Sequence, residues 1–135
     1  MSYLVIIPTY NERENVEAIA RAVFALPEAF HVLIVDDGSP DGTADIVRAL
    51  QQEFPQRLHL LERPGKHGLG TAYIAGFRWG LDRSYDYLFE MDADFSHNPQ
   101  DLSRLLAKCR DEGADVAVGS RYVRGGKVEN WPLDR

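Results

Sequence analysis

The chain has 135 residues, 44% hydrophobic and 27% charged, so one domain with its own core is the default expectation. A net charge of -6 argues against general nucleic-acid binding, and the single cysteine, Cys109, excludes an intrachain disulfide and fits a reducing compartment. No stretch approaches the roughly 18 apolar residues of a membrane span, and the N-terminal apolar run, cut by Pro8, is too short for a signal peptide.

Tyr3 to Ile7 is short, apolar and β-branched, the pattern of a buried strand. Asn11 is placed to cap a helix from about Glu12 to Ala25, with Val16, Ile19, Ala20 and Val23 on one face and Pro27 as its stop. His31 to Val35 is a second buried strand, and Asp36-Asp37-Gly38-Ser39-Pro40-Asp41-Gly42 is a dense turn signal. Thr43 is expected to cap a helix reaching about Phe54, with Ile46, Val47 and Leu50 inward. Leu58 to Leu61 reads as a third strand, Glu62 to Gly70 as a glycine-bearing loop, and Thr71 to Asp82 as a helix in spite of Gly76 and Gly80. Tyr87 to Met91 is the fourth strand. Asn98 caps a helix with Pro99 at its first position, running to about Glu112, in which Cys109 is a packing residue. Asp115 to Val118 is a fifth strand, and the glycine-rich, basic segment from Gly119 to Arg135 is expected to be an extended loop.

Apolar strands alternating with amphipathic helices predict an α/β domain over residues 1–135, a mostly parallel sheet with helices on both faces. Ligands of such sheets bind at the carboxyl ends of the strands. Pro8-Thr9-Tyr10-Asn11-Glu12, Asp36-Asp37-Gly38-Ser39 and Asp92-Ala93-Asp94 all fall there.

Residues i and i+2 of an extended segment point the same way, so Asp92 and Asp94 can face one point. Two carboxylates suit a hard cation, Mg²⁺ or Mn²⁺, that bridges protein to substrate phosphates. A structural reading, in which one aspartate caps the next turn, stands beside it. Asp36 and Asp37 fit turn chemistry as well as contact with a ribose or base. Lys66 and His67 share a loop with Gly65, Gly68 and Gly70 that opens a helix, a weak anion-site signal that is neither a P-loop nor a dinucleotide fingerprint. Arg121, Arg124 and Lys127 have no acidic neighbour between Gly119 and Lys127, so Arg121 can meet a phosphate or form a surface ion pair. His59 and His97 fit solvated or hydrogen-bonded histidines.

Together, Ile6-Ile7-Pro8-Thr9-Tyr10-Asn11-Glu12, Val35-Asp36-Asp37-Gly38-Ser39-Pro40-Asp41-Gly42-Thr43, Gly68-Leu69-Gly70-Thr71-Ala72-Tyr73, Met91-Asp92-Ala93-Asp94-Phe95-Ser96-His97 and Gly119-Ser120-Arg121-Tyr122 resemble the family 2 glycosyltransferases of GT-A fold. Within that family the chain is most similar to the dolichol- or polyprenol-phosphate mannose synthases. The resemblance implies a Rossmann-like GT-A nucleotide-sugar-binding domain. It also implies inverting, metal-dependent transfer of mannose from GDP-mannose to a polyprenyl monophosphate.

By motif position Pro8, Tyr10, Glu12, Asp36 and Asp37, with Lys66 and Gly70, would hold the nucleotide sugar. Asp92 and Asp94 would hold Mg²⁺ or Mn²⁺. Ser96 stands where some relatives carry a metal-ligating glutamine. Arg121, with Asp94 assigned to the catalytic set, and Arg135 would take the acceptor phosphate. A phosphate acceptor is already anionic at pH 7, its second pKa being about 6, and needs no general base. The resemblance also implies a cytoplasmic, peripheral place at the inner face of the membrane. A UDP-sugar donor, or a binding fragment without transfer, are the alternatives.

Family members continue past Trp131-Pro132-Leu133-Asp134-Arg135, so this chain is expected to be the N-terminal portion of the catalytic domain, with an open sheet edge prone to self-association. Two other classes fit less well. A dehalogenase-type phosphatase carries its DxD on the first strand and needs a later Ser/Thr, Lys and acidic pair. A receiver domain carries its acidic pair after the first strand, whereas here it follows the second.

Overall fold

The computed structural model describes residues 2–65, 69–94, 98–112, 114–118, 121–124 and 127–128. In chain order the elements among them are β1 (Tyr3–Thr9), α1 (Val16–Phe24), β2 (Phe30–Asp36), α2 (Thr43–Glu53), β3 (Leu58–Glu62), α3 (Leu69–Asp82), β4 (Tyr87–Glu90), α4 (Asp101–Glu112), β5 (Ala114–Val118), β6 (Arg121–Arg124) and β7 (Lys127–Val128). They form one sheet in the order β3-β2-β1-β4-β5-β6-β7. The first five strands along that order run parallel, and β6 and β7 are antiparallel additions at the edge.

Side-chain alternation along the central strands sorts the core into two layers. Val5, Ile7, Val32, Ile34, Phe89 and Met91 face one side, under Val16, Ile19 and Val23 of α1, Val47 and Leu50 of α2, and Leu102 and Leu106 of α4. Leu4, Ile6, Leu33, Val35 and Leu88 face the other, under Ala72 and Tyr73 of α3. The expected α/β sheet with helices on both faces is what forms. β1 lies between β2 and β4, so the chain order reverses at β1 and a crevice opens beyond the strand ends there.

The register shows how that crevice starts. β1 pairs with β2 as far as Thr9, but with β4 only as far as Ile6 opposite Glu90. Met91 donates its N–H to the Ile6 carbonyl, so the even-numbered residues of β1 turn their backbone toward β4. Pro8 therefore presents its missing N–H where β4 has already left the ladder, a position a proline can occupy in a central strand at no cost.

Several sequence expectations need correction. α1 starts at Val16, not near Glu12, because Asn11 has φ 57 and turns the chain rather than capping a helix. The Glu12 carbonyl accepts the first turn's bonds from Asn15 and Val16. α2 is capped at Gly42, with φ 91, and Thr43 is its first helical residue, whose N–H is taken by Asp41 Oδ1 at 3.0 Å. α3 begins at Leu69, inside the stretch expected to be loop. The expected loop after Val118 instead contains β6 and β7, so the sheet continues as a hairpin.

α3 also explains its two glycines. A Cβ on Gly76 would run into the buried Ile6 side chain, and one on Gly80 would lie 2.6 Å from Leu88 Cδ2 and 2.9 Å from Leu4 Cδ2. Both glycines let the helix sit close on the sheet, at a cost of about 1 kcal/mol each in helix propensity.

Candidate functional site

The site is built on the carboxyl rim of β1, β2 and β4. Asp36, the last residue of β2, is 1% exposed. It accepts from Thr9 Oγ1 at 2.7 Å, Ser39 Oγ at 2.6 Å and the Ser39 N–H at 3.0 Å. A buried carboxylate is tolerated only when its oxygens are satisfied, and these donors lock β1 to the turn after β2.

From that turn a set of bonds runs back to the loop after β1. Asn11 N–H donates to Ser39 Oγ at 2.9 Å, Glu12 N–H to Thr43 Oγ1 at 3.1 Å and Arg13 N–H to Asp41 Oδ2 at 3.1 Å. The segments carrying Tyr10–Glu12 and Asp36–Thr43 are thus one structural unit. Tyr10, exposed, and Glu12, half-buried, stand on its outer lip.

Asp37 is held by Arg63, just past β3, through Nε to Oδ1 at 2.7 Å and Nη2 to Oδ2 at 2.8 Å. The same Nη2 reaches Thr71 Oγ1 at 3.2 Å, linking the β2 turn to the first turn of α3. Gly38, at φ +71, packs against this junction so tightly that a Cβ would lie 2.9 Å from the Gly65 nitrogen. Gly70 is buried in the same first turn.

Asp92 and Asp94 follow β4, where the strand's alternation persists past its end. Met91 and Ala93 are buried in the α1/α2/α4 layer. Asp92 is half-buried on the α3 side, and Asp94 is exposed. Tyr73 of α3 donates its hydroxyl to Asp92 Oδ1 at 2.6 Å. Burial, that hydrogen bond and the negative charges of Glu90, Asp92 and Asp94 push the Tyr73 phenol well above its ordinary pKa, so it remains a proton donor throughout the physiological range.

Among the described residues no three His, Cys, Asp or Glu side chains converge as a complete metal cage. The donor set nonetheless fits Mg²⁺ or Mn²⁺, which commonly take one or two protein carboxylates and complete their octahedron with water and substrate phosphate. Arg121 opens β6 opposite Val118, itself opposite Glu90, which places its backbone on the same rim. Lys66, Ser96, His97 and Arg135 lie outside the described residues. Sequence reasoning did not single out Thr9, Arg63 or Tyr73 as site residues. Only Thr9 and Tyr73 carried a signal, since both lie inside quoted motifs.

The family model for Glycosyl transferase family 2 matches residues 4–135. The chain belongs to this family. It is 57% identical over 132 residues to a polyprenol monophosphomannose synthase of Mycolicibacterium smegmatis, covering 98% of this chain and 49% of the relative. It is 54% identical to an undecaprenyl-phosphate mannosyltransferase of Micrococcus luteus, covering 100% of this chain and 54% of the relative. A dolichol-phosphate mannosyltransferase of Pyrococcus furiosus is 42% identical over 100% of this chain, which spans 37% of it. The chain thus spans about half the length, or less, of these curated relatives.

Among solved structures, the mannosyltransferase PcManGT from Pyrobaculum calidifontis, in complex with GDP-Man and Mn²⁺, matches at TM-score 0.59 and 28% identity, over 68% of this chain and 27% of that one. S. aureus TarS matches at TM-score 0.66 and 24% identity, over 85% of this chain and 34% of that one, a likeness of fold. The architecture is GT-A.

Proposed function

We propose that this chain is the nucleotide-sugar-binding portion of an inverting transferase that moves mannose from GDP-mannose to a polyprenyl monophosphate. The observation that carries this reading is the 57% identity, over 98% of the chain, to a polyprenol monophosphomannose synthase. The GDP-Man and Mn²⁺ complex of the PcManGT neighbour supports the donor and the metal.

In this reading the joined loops carrying Pro8, Tyr10, Glu12, Asp36 and Asp37 hold the nucleotide sugar, together with Lys66 and Gly70. Asp92 and Asp94 hold Mg²⁺ or Mn²⁺, with Ser96 close in sequence. When bound, the cation neutralises charge on the departing diphosphate. Arg121, with Arg135, orients the acceptor phosphate, whose oxygen is already anionic at pH 7 and attacks without a general base. No described helix is long and apolar enough to cross a membrane. In this reading the lipid acceptor is met at a membrane surface.

Radiolabelled GDP-mannose and UDP-glucose, each offered with Mn²⁺ and a polyprenyl monophosphate in detergent, test the reading. Label is expected in the lipid fraction from GDP-mannose alone. Label from UDP-glucose, or none from GDP-mannose, contradicts it.

A further inference from the structure

We propose that Tyr73 is a positioning residue for the metal-binding pair, setting the orientation of Asp92 through its hydroxyl. The inference rests on the reading of Asp92 and Asp94 as ligands of a divalent cation. Three observations carry it.

Tyr73 sits in the first turns of α3 at 5% exposure, and its ring belongs to the apolar layer with Leu4, Ile6 and Leu88. A phenylalanine would fill that space equally well, so packing does not require the oxygen. A buried hydroxyl must find a partner, and here the partner is Asp92 Oδ1, at 2.6 Å.

The position of that hydroxyl is rigid. Gly76 and Gly80 seat α3 against Ile6, Leu4 and Leu88 with no room for a methyl group. Arg63 ties the helix's first turn, at Thr71, to Asp37. The donor is therefore fixed relative to β1 and β2, while the Asp92 backbone has already left the β4 ladder.

The acceptor needs such a partner. Glu90, Asp92 and Asp94 stand at alternate positions where β4 ends, so like charges follow one another there. Their repulsion favours carboxylate orientations that turn apart. A charge-assisted bond to one oxygen of Asp92 holds its plane in one orientation before a cation arrives. Outer partners of this kind typically change metal affinity about 10- to 100-fold when removed.

The test compares the chain and its Tyr73→Phe variant by calorimetric titration with GDP-mannose, in Mn²⁺ and in EDTA. Mn²⁺-dependent affinity is expected to fall about 10- to 100-fold, while any binding in EDTA stays unchanged. Equal Mn²⁺-dependent affinity in the two proteins overturns the inference and leaves the donor reading standing. A parallel fall in Mn²⁺ and in EDTA also overturns it, since that marks a general packing role. Absence of Mn²⁺-dependent binding in the unsubstituted chain overturns both readings. A second measurement keeps the hydroxyl: the fluorine NMR resonance of 3-fluorotyrosine at position 73 should shift when Mg²⁺ and GDP-mannose are added together. It should not shift with GDP-mannose in EDTA, and an unmoved resonance in Mg²⁺ contradicts the proposal.

Discussion

Arg63 grips Asp37 with two parallel hydrogen bonds, at 2.7 and 2.8 Å, and their side chains are only 15% and 7% exposed. The pair joins the end of β3 to the turn after β2, and through Thr71 to α3. Removing one member of a buried pair strands the other's charge, a larger effect than loss of the contact itself. Arg63→Ala is expected to cost about 3 kcal/mol in urea unfolding, with Arg63→Lys recovering only part because an ammonium cannot make the two-pronged contact.

Gly76→Ala pits two effects of opposite sign. Helix propensity alone would stabilise α3 by about 1 kcal/mol. The added methyl would overlap Ile6, which is fully buried on the central strand β1, and overpacking costs about 1–3 kcal/mol. The net change is expected to be destabilising. Gly80→Ala should cost less, since its nearest atoms are the δ-methyl tips of Leu88 and Leu4. Denaturant midpoints measured for both variants check the order.

A histidine cluster lies at the opposite end of the sheet. His31 Nδ1 and the Tyr85 hydroxyl are 2.8 Å apart, and the His31 and His59 ring centres 6.0 Å. Desolvation, then the charge of the other histidine and of Arg57, lowers the His31 pKa below 6.5. Desolvation also lowers that of His59, helped by Arg83, which stacks on Trp79. The folded state therefore binds fewer protons than the unfolded chain below about pH 6.5. Stability is full above that value and falls as pH drops through the window between the unfolded and folded pKa values. Unfolding midpoints should hold near pH 7.5 and decline as pH falls below about 6.5, and His31→Phe should flatten that decline.

Much of the architecture could be read from sequence because β1, β2 and β4 are apolar runs whose alternation survives folding. The polar clusters fell at the strand ends for the same reason. The start of α1 could not be read locally, because Asn11 is recruited by Ser39 from another loop and adopts a left-handed turn. Arg63 left no sequence signal, since its partner Asp37 lies across β3 and α2. Gly76 and Gly80 looked like helix weaknesses until the sheet beneath them was known. The β6–β7 hairpin did have a signal: Arg121-Tyr122-Val123-Arg124 and Lys127-Val128 flank Gly125-Gly126, a two-residue hairpin pattern.

The most direct test is calorimetric titration of GDP-mannose into the chain and its Asp94→Ala variant, each in Mn²⁺ and in EDTA. Asp94 is exposed, so its removal should leave the unfolding free energy within about 0.5 kcal/mol of the original. The account predicts binding that requires Mn²⁺ and is lost in the variant. Equal binding in EDTA, or unchanged Mn²⁺-dependent binding by Asp94→Ala, would contradict it.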